Sequence, residues 1–184
     1  MAIDEVVLSL AGKQTLLRSF CADDISTDYI DWLTDPEVLR FSNQRFRTHT
    51  KETALSYLNS FAGSGNLYLG IRLAKTQRLV GTITAYRSLP HQTADMGLLI
   101  GDRTCWGKGI GLDAWNTLLD YLLNVCCLRK VTGGTLRCNI GMVRIMERSG
   151  MQLEAVRAQQ ELVDQVPQDV LYYAKFHSSI PFKC

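Results

Sequence analysis

The chain has 184 residues, 46% of them hydrophobic and 21% charged, which fits one globular domain with one sizeable core and excludes disordered and fibrous classes. Twenty Lys+Arg against eighteen Asp+Glu give a formal net charge of +2, too even for a protein whose main work is wrapping nucleic acid. No run approaches the ~18 consecutive apolar residues of a membrane span, and MAIDEVVLSL sets acids, not Lys or Arg, before its apolar stretch, so it does not read as a signal peptide.

In chain order, residues 6–10 and 15–20 flank Ala11-Gly12-Lys13 and predict a strand pair round a turn. Ile25, Tyr29, Ile30 and Leu33 have helical spacing over 23–33, stopped near Asp35-Pro36. Thr50-Lys51-Glu52-Thr53 resembles a helix start, and Ala54, Leu55, Leu58 and Phe61 continue one face up to Gly63. Strands are predicted over 67–73, 78–86 and 94–100, with Gly63–Asn66 and Lys75-Thr76-Gln77 short enough to join antiparallel neighbours. After residue 111 the period becomes helical through Leu112, Trp115, Leu119, Leu122 and Leu123. A strand over 128–136 contains Gly133-Gly134, a helix over 140–148 ends at Gly150, and strands near 152–162 and 169–176 finish the chain. The fold class is therefore mixed α/β (α+β), a single domain over 1–184. Its sheet is mostly antiparallel, with one right-handed strand–helix–strand crossover between 94 and 136.

The six cysteines, at 21, 105, 126, 127, 138 and 184, form no C-x-x-C pair, and His49, His91 and His177 are scattered. No ligand set has metal spacing, so no metal is expected, and the cysteines read as reduced thiols of a cytoplasmic protein.

Trp106-Gly107-Lys108-Gly109-Ile110-Gly111 lies between a strand and a long helix. Alternate glycines let successive N–H groups turn inward around an anion, and the helix adds unpaired donors and partial positive charge. A pyrophosphate cradle is one reading, with Lys108 as an added cation, and a tight turn is the other. The loop is not a Walker A motif, because Gly109 rather than Ser or Thr follows Lys108, and its glycine spacing is not that of the dinucleotide fingerprint.

The run GLLIGDRTCWGKGIGLDAW (97–115), followed by CNIGMVRIMERSGM (138–151), resembles the GNAT superfamily of acyl-CoA-dependent N-acetyltransferases. Gly109 and Gly111 match the family's (Gln/Arg)-x-x-Gly-x-(Gly/Ala) loop, with Trp106 in first place. Asn139, Glu147, Arg148 and Gly150 match a helix motif of the branch with ribosomal-protein N-terminal, spermidine and amino-sugar acetyltransferases. The resemblance implies a twisted, mostly antiparallel sheet whose central parallel strands splay apart, with flanking helices. It implies acetyl-CoA as co-substrate and no metal. The backbone of Gly107, Lys108, Gly109, Ile110, Gly111 and Leu112 would bind the pyrophosphate, Leu99, Ile100 and Gly101 the pantetheine arm as an added pseudo-strand, and Asn139 would hydrogen-bond that arm. Gly133-Gly134 marks a bulge or a close backbone approach, the latter preferred for admitting the thioester. Many members carry a Tyr seven residues after the motif Asn. Here that position is Met146, and Met142 replaces the branch's usual Ser, so no Tyr acid is assigned; Tyr172 and Tyr173 are candidates only by the proximity the fold implies.

Transfer to an amine needs a neutral nucleophile, stabilisation of a developing oxyanion by N–H groups of the 97–101 strand, and a base. Asp95, where relatives often carry Glu, shares a nominal side with Gly97 and Leu99, where partial desolvation would favour its taking a proton; the other reading is an edge-strand Asp facing solvent, and His91 or a water chain are competing routes. The acceptor is normally read by the first two helices and the loop between them. There Arg-Phe-Arg at 45–47 is either a solvated turn or an anion clamp of Arg45 and Arg47. The best-matching acceptor is then an anionic primary amine such as a nucleotide-linked amino sugar. A peptide N-terminus of the ribosomal-protein type and a non-catalytic CoA-binding module are the alternatives. No nucleic-acid or membrane partner is expected, and the chain would be a monomer or homodimer.

Overall fold

The computed structural model describes residues 8–178. Strands β1 (Ser9–Ala11), β2 (Thr15–Ser19), β3 (Leu67–Leu73), β4 (Leu79–Ser88), β5 (Thr93–Ile100), β6 (Lys130–Leu136), β7 (Gln152–Val163) and β8 (Val166–Phe176) form one sheet in the order β1-β2-β3-β4-β5-β6-β8-β7. Every neighbouring pair is antiparallel except β5 and β6. Helices α1 (Thr27–Thr34), α2 (Pro36–Leu39), α3 (Lys51–Asn59), α4 (Ile110–Asp120) and α5 (Ile140–Arg148) complete the fold.

The helices lie on both sides of the sheet, and strand alternation decides what each side buries. Ala94 and Met96 of β5 join Trp115, Leu118 and Leu122 in the larger core under α4, while Leu99 packs with Phe20, Tyr29, Leu33 and Tyr68 under α1 and α3. Apolar positions one turn apart put Ala114, Trp115, Leu118 and Leu119 on the buried stripe of α4. At the N-terminus of α3, Thr50 and Thr53 make the reciprocal capping box their spacing predicts.

Several expectations shift. The first strand forms only over Ser9–Ala11, and residues 6 and 7 of the predicted strand lie outside the described residues, as does Cys184. The predicted 23–33 helix divides into a 3-10 turn, Ala22–Asp24, and α1, because the Ser26 hydroxyl accepts from Tyr29 N at 3.2 Å and starts a new helix. Gly63–Asn66 joins α3 to β3, not two strands. After Asp120 the α4 pattern runs on as a π-helical turn, Tyr121–Val125. Strand β8 begins at Val166, three residues earlier than predicted, since Asp164 and Gln165 both take positive φ (49° and 65°) in a two-residue hairpin.

The parallel pairing is short. It runs from Thr93↔Lys130 to Met96↔Gly133 and stops there. Beyond it, β5 stays with β4 as far as Ile100↔Gly81, and β6 stays with β8 as far as Leu136↔Val170. A gap therefore opens between residues 97–100 and 134–136, the splay implied by the resemblance. The glycines beside it admit side chains: a Cβ at Gly133 would sit 2.9 Å from the Trp115 ring, and one at Gly134 3.2 Å from the Tyr172 ring. The close approach at Gly133-Gly134 is thus by aromatic rings.

Candidate active site

The loop before α4 is shaped by its glycines. Gly107 and Gly109 have φ of 72° and 83°, a region that L side chains rarely enter. Gly109 is the N-cap of α4 and offers no side chain to its first-turn N–H groups, so those donors face outward. A Cβ at Gly107 would meet nothing within 4 Å, while Gly111 lies against Ile145 of α5. The Trp106 indole donates to the Ile100 carbonyl at 2.8 Å, tying the loop to the end of β5. In the pattern's first place, Trp106 therefore supplies a donor that fixes the loop.

A second tie comes from Asp113. Its carboxylate accepts from the amides of Lys13 (3.0 Å), Gln14 (2.9 Å) and Thr15 (2.9 Å) and from the Thr15 hydroxyl (2.8 Å). Burial alone would raise its pKa, but these donors outweigh that and hold it below the ordinary carboxylate value. Gly12 is required beside it, because a Cβ there would lie 2.5 Å from Asp113 Oδ2. The β1–β2 turn is thereby fastened to α4, with Gln14 Nε2 3.4 Å from where a Gly109 Cβ would be.

From this loop a cleft of about 960 Å³ runs past the strand gap to the layer of α1–α3. Of the predicted cofactor residues, Leu99 and Ile100, Gly107, Gly109 to Leu112, and Asn139 line it. Two do not. Gly101 is buried against Trp32, with its N–H bonded to the Val80 carbonyl at 3.0 Å, and Lys108 points into solvent outside the cleft. Asn139 caps α5, its Oδ1 accepting from Met142 N at 3.2 Å, which leaves its side-chain NH2 as the donor. Met146 is fully buried against Gly133, a core residue, while Met142 lines the cleft.

The other end, toward α1–α3, is built from side chains. Tyr29 and Tyr68 hydroxyls meet at 2.5 Å and those of Tyr57 and Tyr86 at 2.6 Å, with Thr82 and Thr84 beside them. Burial raises the pKa values of Tyr29, Tyr57 and Tyr68, so these phenols stay protonated donors at neutral pH. None of these tyrosines stood out in the sequence, where they are scattered over four separate elements; only the tertiary fold collects them.

Arg45 and Arg47 part company. Arg45 donates to the Ser42 carbonyl at 2.8 Å and the Leu162 carbonyl at 2.9 Å and stacks on Phe46, so it bolts its segment to the β7–β8 hairpin and lies outside the cleft. Arg40, paired with Asp164, and Asn43, bonded to Glu161 at 3.1 Å, make the same connection. Arg47 lines the cleft, exposed and without a hydrogen-bond partner among the described residues. Beside it, His49 Nε2 lies 2.9 Å from the Gln44 carbonyl, which leaves Nδ1 as an acceptor in the tautomer with Nε2 protonated.

Asp95 is on the expected face, opposite Tyr86 of β4 and Thr132 of β6 in register. It is exposed rather than partly buried and is not among the residues that line the cleft, although its neighbour Met96 and its register partner Tyr86 are, and the Thr132 hydroxyl donates to its Oδ1 at 2.6 Å. His91 is exposed in the turn before β5, where its backbone carbonyl accepts from Arg129 at 2.9 Å. Tyr173 points away, its hydroxyl 3.2 Å from Glu147, and Tyr172 covers Gly134.

A family model described as "Acetyltransferase (GNAT) domain" matches residues 14–152. The chain belongs to the GNAT acetyltransferase family. Among curated proteins, "Probable N-acetyltransferase YjcK" of Bacillus subtilis (strain 168) is 28% identical over 104 residues, 55% of this chain and 57% of that protein, so the chain spans little more than half of that relative. Among solved structures, ribosomal-protein-S5-alanine acetyltransferase from Vibrio fischeri superposes with a TM-score of 0.79 at 15% identity, over 94% of this chain and 98% of that one. Spermidine N-acetyltransferase from Vibrio cholerae, in complex with CoA and spermine, does so with a TM-score of 0.78 at 18% identity, over 90% and 96%. At such identities the structural likeness shows a common GNAT fold.

The residues present fit a CoA-type ligand. The loop's backbone donors, open on the cleft side at Gly107, suit a pyrophosphate, and the unpaired edge of β5 over 97–100 suits an extended amide arm.

Proposed function

We propose that this GNAT protein transfers the acetyl group of acetyl-CoA to the primary amine of a small anionic acceptor, such as a nucleotide-linked amino sugar. The observation that carries the acceptor class is the charge of the cleft wall. Arg47, Arg144 and Arg148, with no hydrogen-bond or ion-pair partner among the described residues, line it together with Arg40, which pairs with Asp164, and the one carboxylate lining it among the described residues is Glu37. A polyamine would need carboxylates for its ammonium groups, whereas an unpaired guanidinium such as Arg47 grips phosphate or carboxylate with two parallel bonds. The tyrosine and threonine hydroxyls beside it suit a polar, hydroxylated body.

When bound, acetyl-CoA supplies a thioester already activated toward an amine. The chain's own residues do the rest. Gly107 and Gly109–Leu112 hold the pyrophosphate through main-chain N–H groups, and the Asn139 side-chain NH2 holds an amide of the arm. Main-chain N–H groups on the open edge of β5 are the donors for an acyl oxygen lying in the gap. Asp95, steadied by Thr132, takes the ammonium proton directly or through water. With Met146 in the core, no side chain stands in the motif position to protonate the leaving sulfur. A thiol of pKa about 8.5 needs little help near neutrality.

The test is a panel of amines with acetyl-CoA, read as release of free thiol. Nucleotide-linked amino sugars are expected to turn over fastest. Faster turnover of spermidine than of every amino sugar and acidic peptide would overturn the acceptor assignment.

A further inference from the structure

The splay of β5 and β6 opens the sheet at two glycines. Pairing stops at Met96↔Gly133, so Gly97 and Gly134 are the first residues to part. Met96 is in the core under α4, and a Cβ at Gly133 would meet Trp115 of that helix. By strand alternation Gly97 and Gly134 turn to the opposite face, toward the α1–α3 layer. Both line the cleft, and neither carries a side chain, so the gap is open on that face. Two residues further along β5 the opening ends, because Leu99 packs against the cluster of Tyr29 and Tyr68.

Among the described residues, the hydroxyl in register with this window is that of Thr84 in β4. Thr84 is paired with Gly97 on one side and with Tyr68 of β3 on the other, and a Cβ at Gly97 would lie 2.9 Å from its Oγ1. Across the gap, a Cβ at Gly134 would meet the Tyr172 ring at 3.2 Å, which offers no polar atom there. Thr135, the next residue of β6, shares the face of Gly133 and so turns to the α4 side. The Thr84 side chain is half-buried, lines the cleft and makes no hydrogen bond with another described residue. The hydroxyls nearby are engaged, that of Thr132 with Asp95 and that of Tyr86 with Tyr57. Branching at Cβ restricts χ1, which holds the Thr84 oxygen beside the glycine.

We propose that Thr84 is a catalytic residue: its Oγ1 accepts a hydrogen bond from the acceptor's amine and aims the nitrogen lone pair through the glycine window at the thioester carbon. This rests on the reading that acetyl-CoA lies along the open edge of β5, and it deepens that reading by naming a side chain that acts on the amine itself. A neutral primary amine has two N–H bonds and one lone pair, so fixing one N–H from the β4 side sets where the lone pair points. The nitrogen then forms the N–C bond, the C–S bond breaks with its electron pair on sulfur, and the ammonium proton passes to the base. Thr84 gains and loses no proton. Its hydrogen bond strengthens as positive charge develops on nitrogen, so it favours the transition state over the bound amine.

Thr84→Val keeps the branched shape and removes the oxygen. With acetyl-CoA saturating, its kcat for thiol release is expected to fall about tenfold or more, the effect of one such hydrogen bond. Acetyl-CoA affinity, measured by isothermal titration, should not change. The factor should be the same for spermidine as for a nucleotide-linked amino sugar, because the contact is to the reacting nitrogen. Thr84→Ser, which keeps the oxygen and loses the methyl, should hold kcat within about threefold of wild type. Circular dichroism checks the fold of both variants. A wild-type kcat in Thr84→Val would overturn the proposal. Equal losses in the Val and Ser variants would do the same, since they mark a packing role, and so would a loss confined to one acceptor. Failure of the underlying cofactor reading shows differently: wild type would then bind no acetyl-CoA in the same titration.

Discussion

The two ends of the cleft are built on different plans. At the cofactor end, Gly107 to Leu112 present main-chain donors from one continuous stretch, and α5 follows within 30 residues. At the acceptor end, Tyr57 comes from α3, Tyr86 from β4 and Arg47 from the turn before α3, and the segment that carries Arg47 is held by a hairpin more than 100 residues further on. A main-chain site is fixed by glycine spacing and a helix start, which are local properties of sequence. A side-chain site is fixed by what each long side chain meets, which is a property of the whole fold. The difference explains how one fold can keep its cofactor while its acceptor varies.

The comparison breaks first at Gly109. Asn tolerates positive φ but adds a side chain where the backbone must face an anion. Gly109→Asn should lower acetyl-CoA affinity by roughly 100-fold, about two of the strong anion contacts, while the acceptor end stays folded. Calorimetry together with near-UV circular dichroism checks both halves of that statement.

Asp95 is the base proposed for the transfer. Asp95→Asn should lower kcat at neutral pH by roughly 10²-fold, the lower end of general-base effects, with acetyl-CoA affinity unchanged. His91→Ala should cost much less. A wild-type kcat in Asp95→Asn across the pH profile would make Asp95 structural and pass the role to another proton acceptor, for which the Glu37 carboxylate and His49 Nδ1 line the cleft.

Arg45 sharpens the contrast within the acceptor end. Arg45→Ala removes two bonds to backbone carbonyls and a ring contact, so it should cost about 1 kcal/mol, or roughly 2–4 °C in Tm. Acceptor KM should rise a few-fold whatever the acceptor's charge, because the segment loosens as a whole. An effect confined to anionic acceptors would return Arg45 to the role of direct ligand.

A stability effect of the same size, without a change in acceptor KM, is expected at Asp113, behind the cofactor end. Its pKa is lower folded than unfolded, so its contribution is present above the unfolded value of about 3.9 and is lost as pH falls through the folded one. Asp113→Asn should therefore cost about 1 kcal/mol at pH 7, discounted for a half-exposed carboxylate. The gap from wild type should begin to narrow below about pH 4 and shrink further as the pH falls through the folded pKa. Urea unfolding at pH 7 and pH 3 measures both.

Much of the fold was readable from the sequence. Helical periodicity and Gly150 located α5 at its observed bounds, and Thr50 and Thr53 announced the start of α3. The parallel pair and its splay followed from the GNAT resemblance, and the early end of β5–β6 pairing matches it. What escaped has a common cause. Arg45 and Arg47 are equivalent in an Arg-Phe-Arg string, and only the Leu162 carbonyl tells them apart. Arg144 and Arg148 are visible as a helical pair, but their lack of partners is a tertiary fact. Gly101 reads as the last residue of the edge that pairs with the pantetheine arm until Trp32 is found against it. The β7–β8 turn was missed because Asp-Gln supplies the two positive φ values that Asn-Gly or Asp-Gly usually announces.

The central claim is that the main-chain end holds acetyl-CoA while Arg47 independently reads the acceptor's charge. Initial rates of thiol release, with acceptor varied at saturating acetyl-CoA, test it in wild type and in Arg47→Glu. The expected result is a KM for nucleotide-linked amino sugars raised at least about tenfold, improved use of spermidine, and an unchanged KM for acetyl-CoA. Wild type that already prefers spermidine, or a charge reversal that shifts the acetyl-CoA KM as much as the acceptor KM, would contradict it.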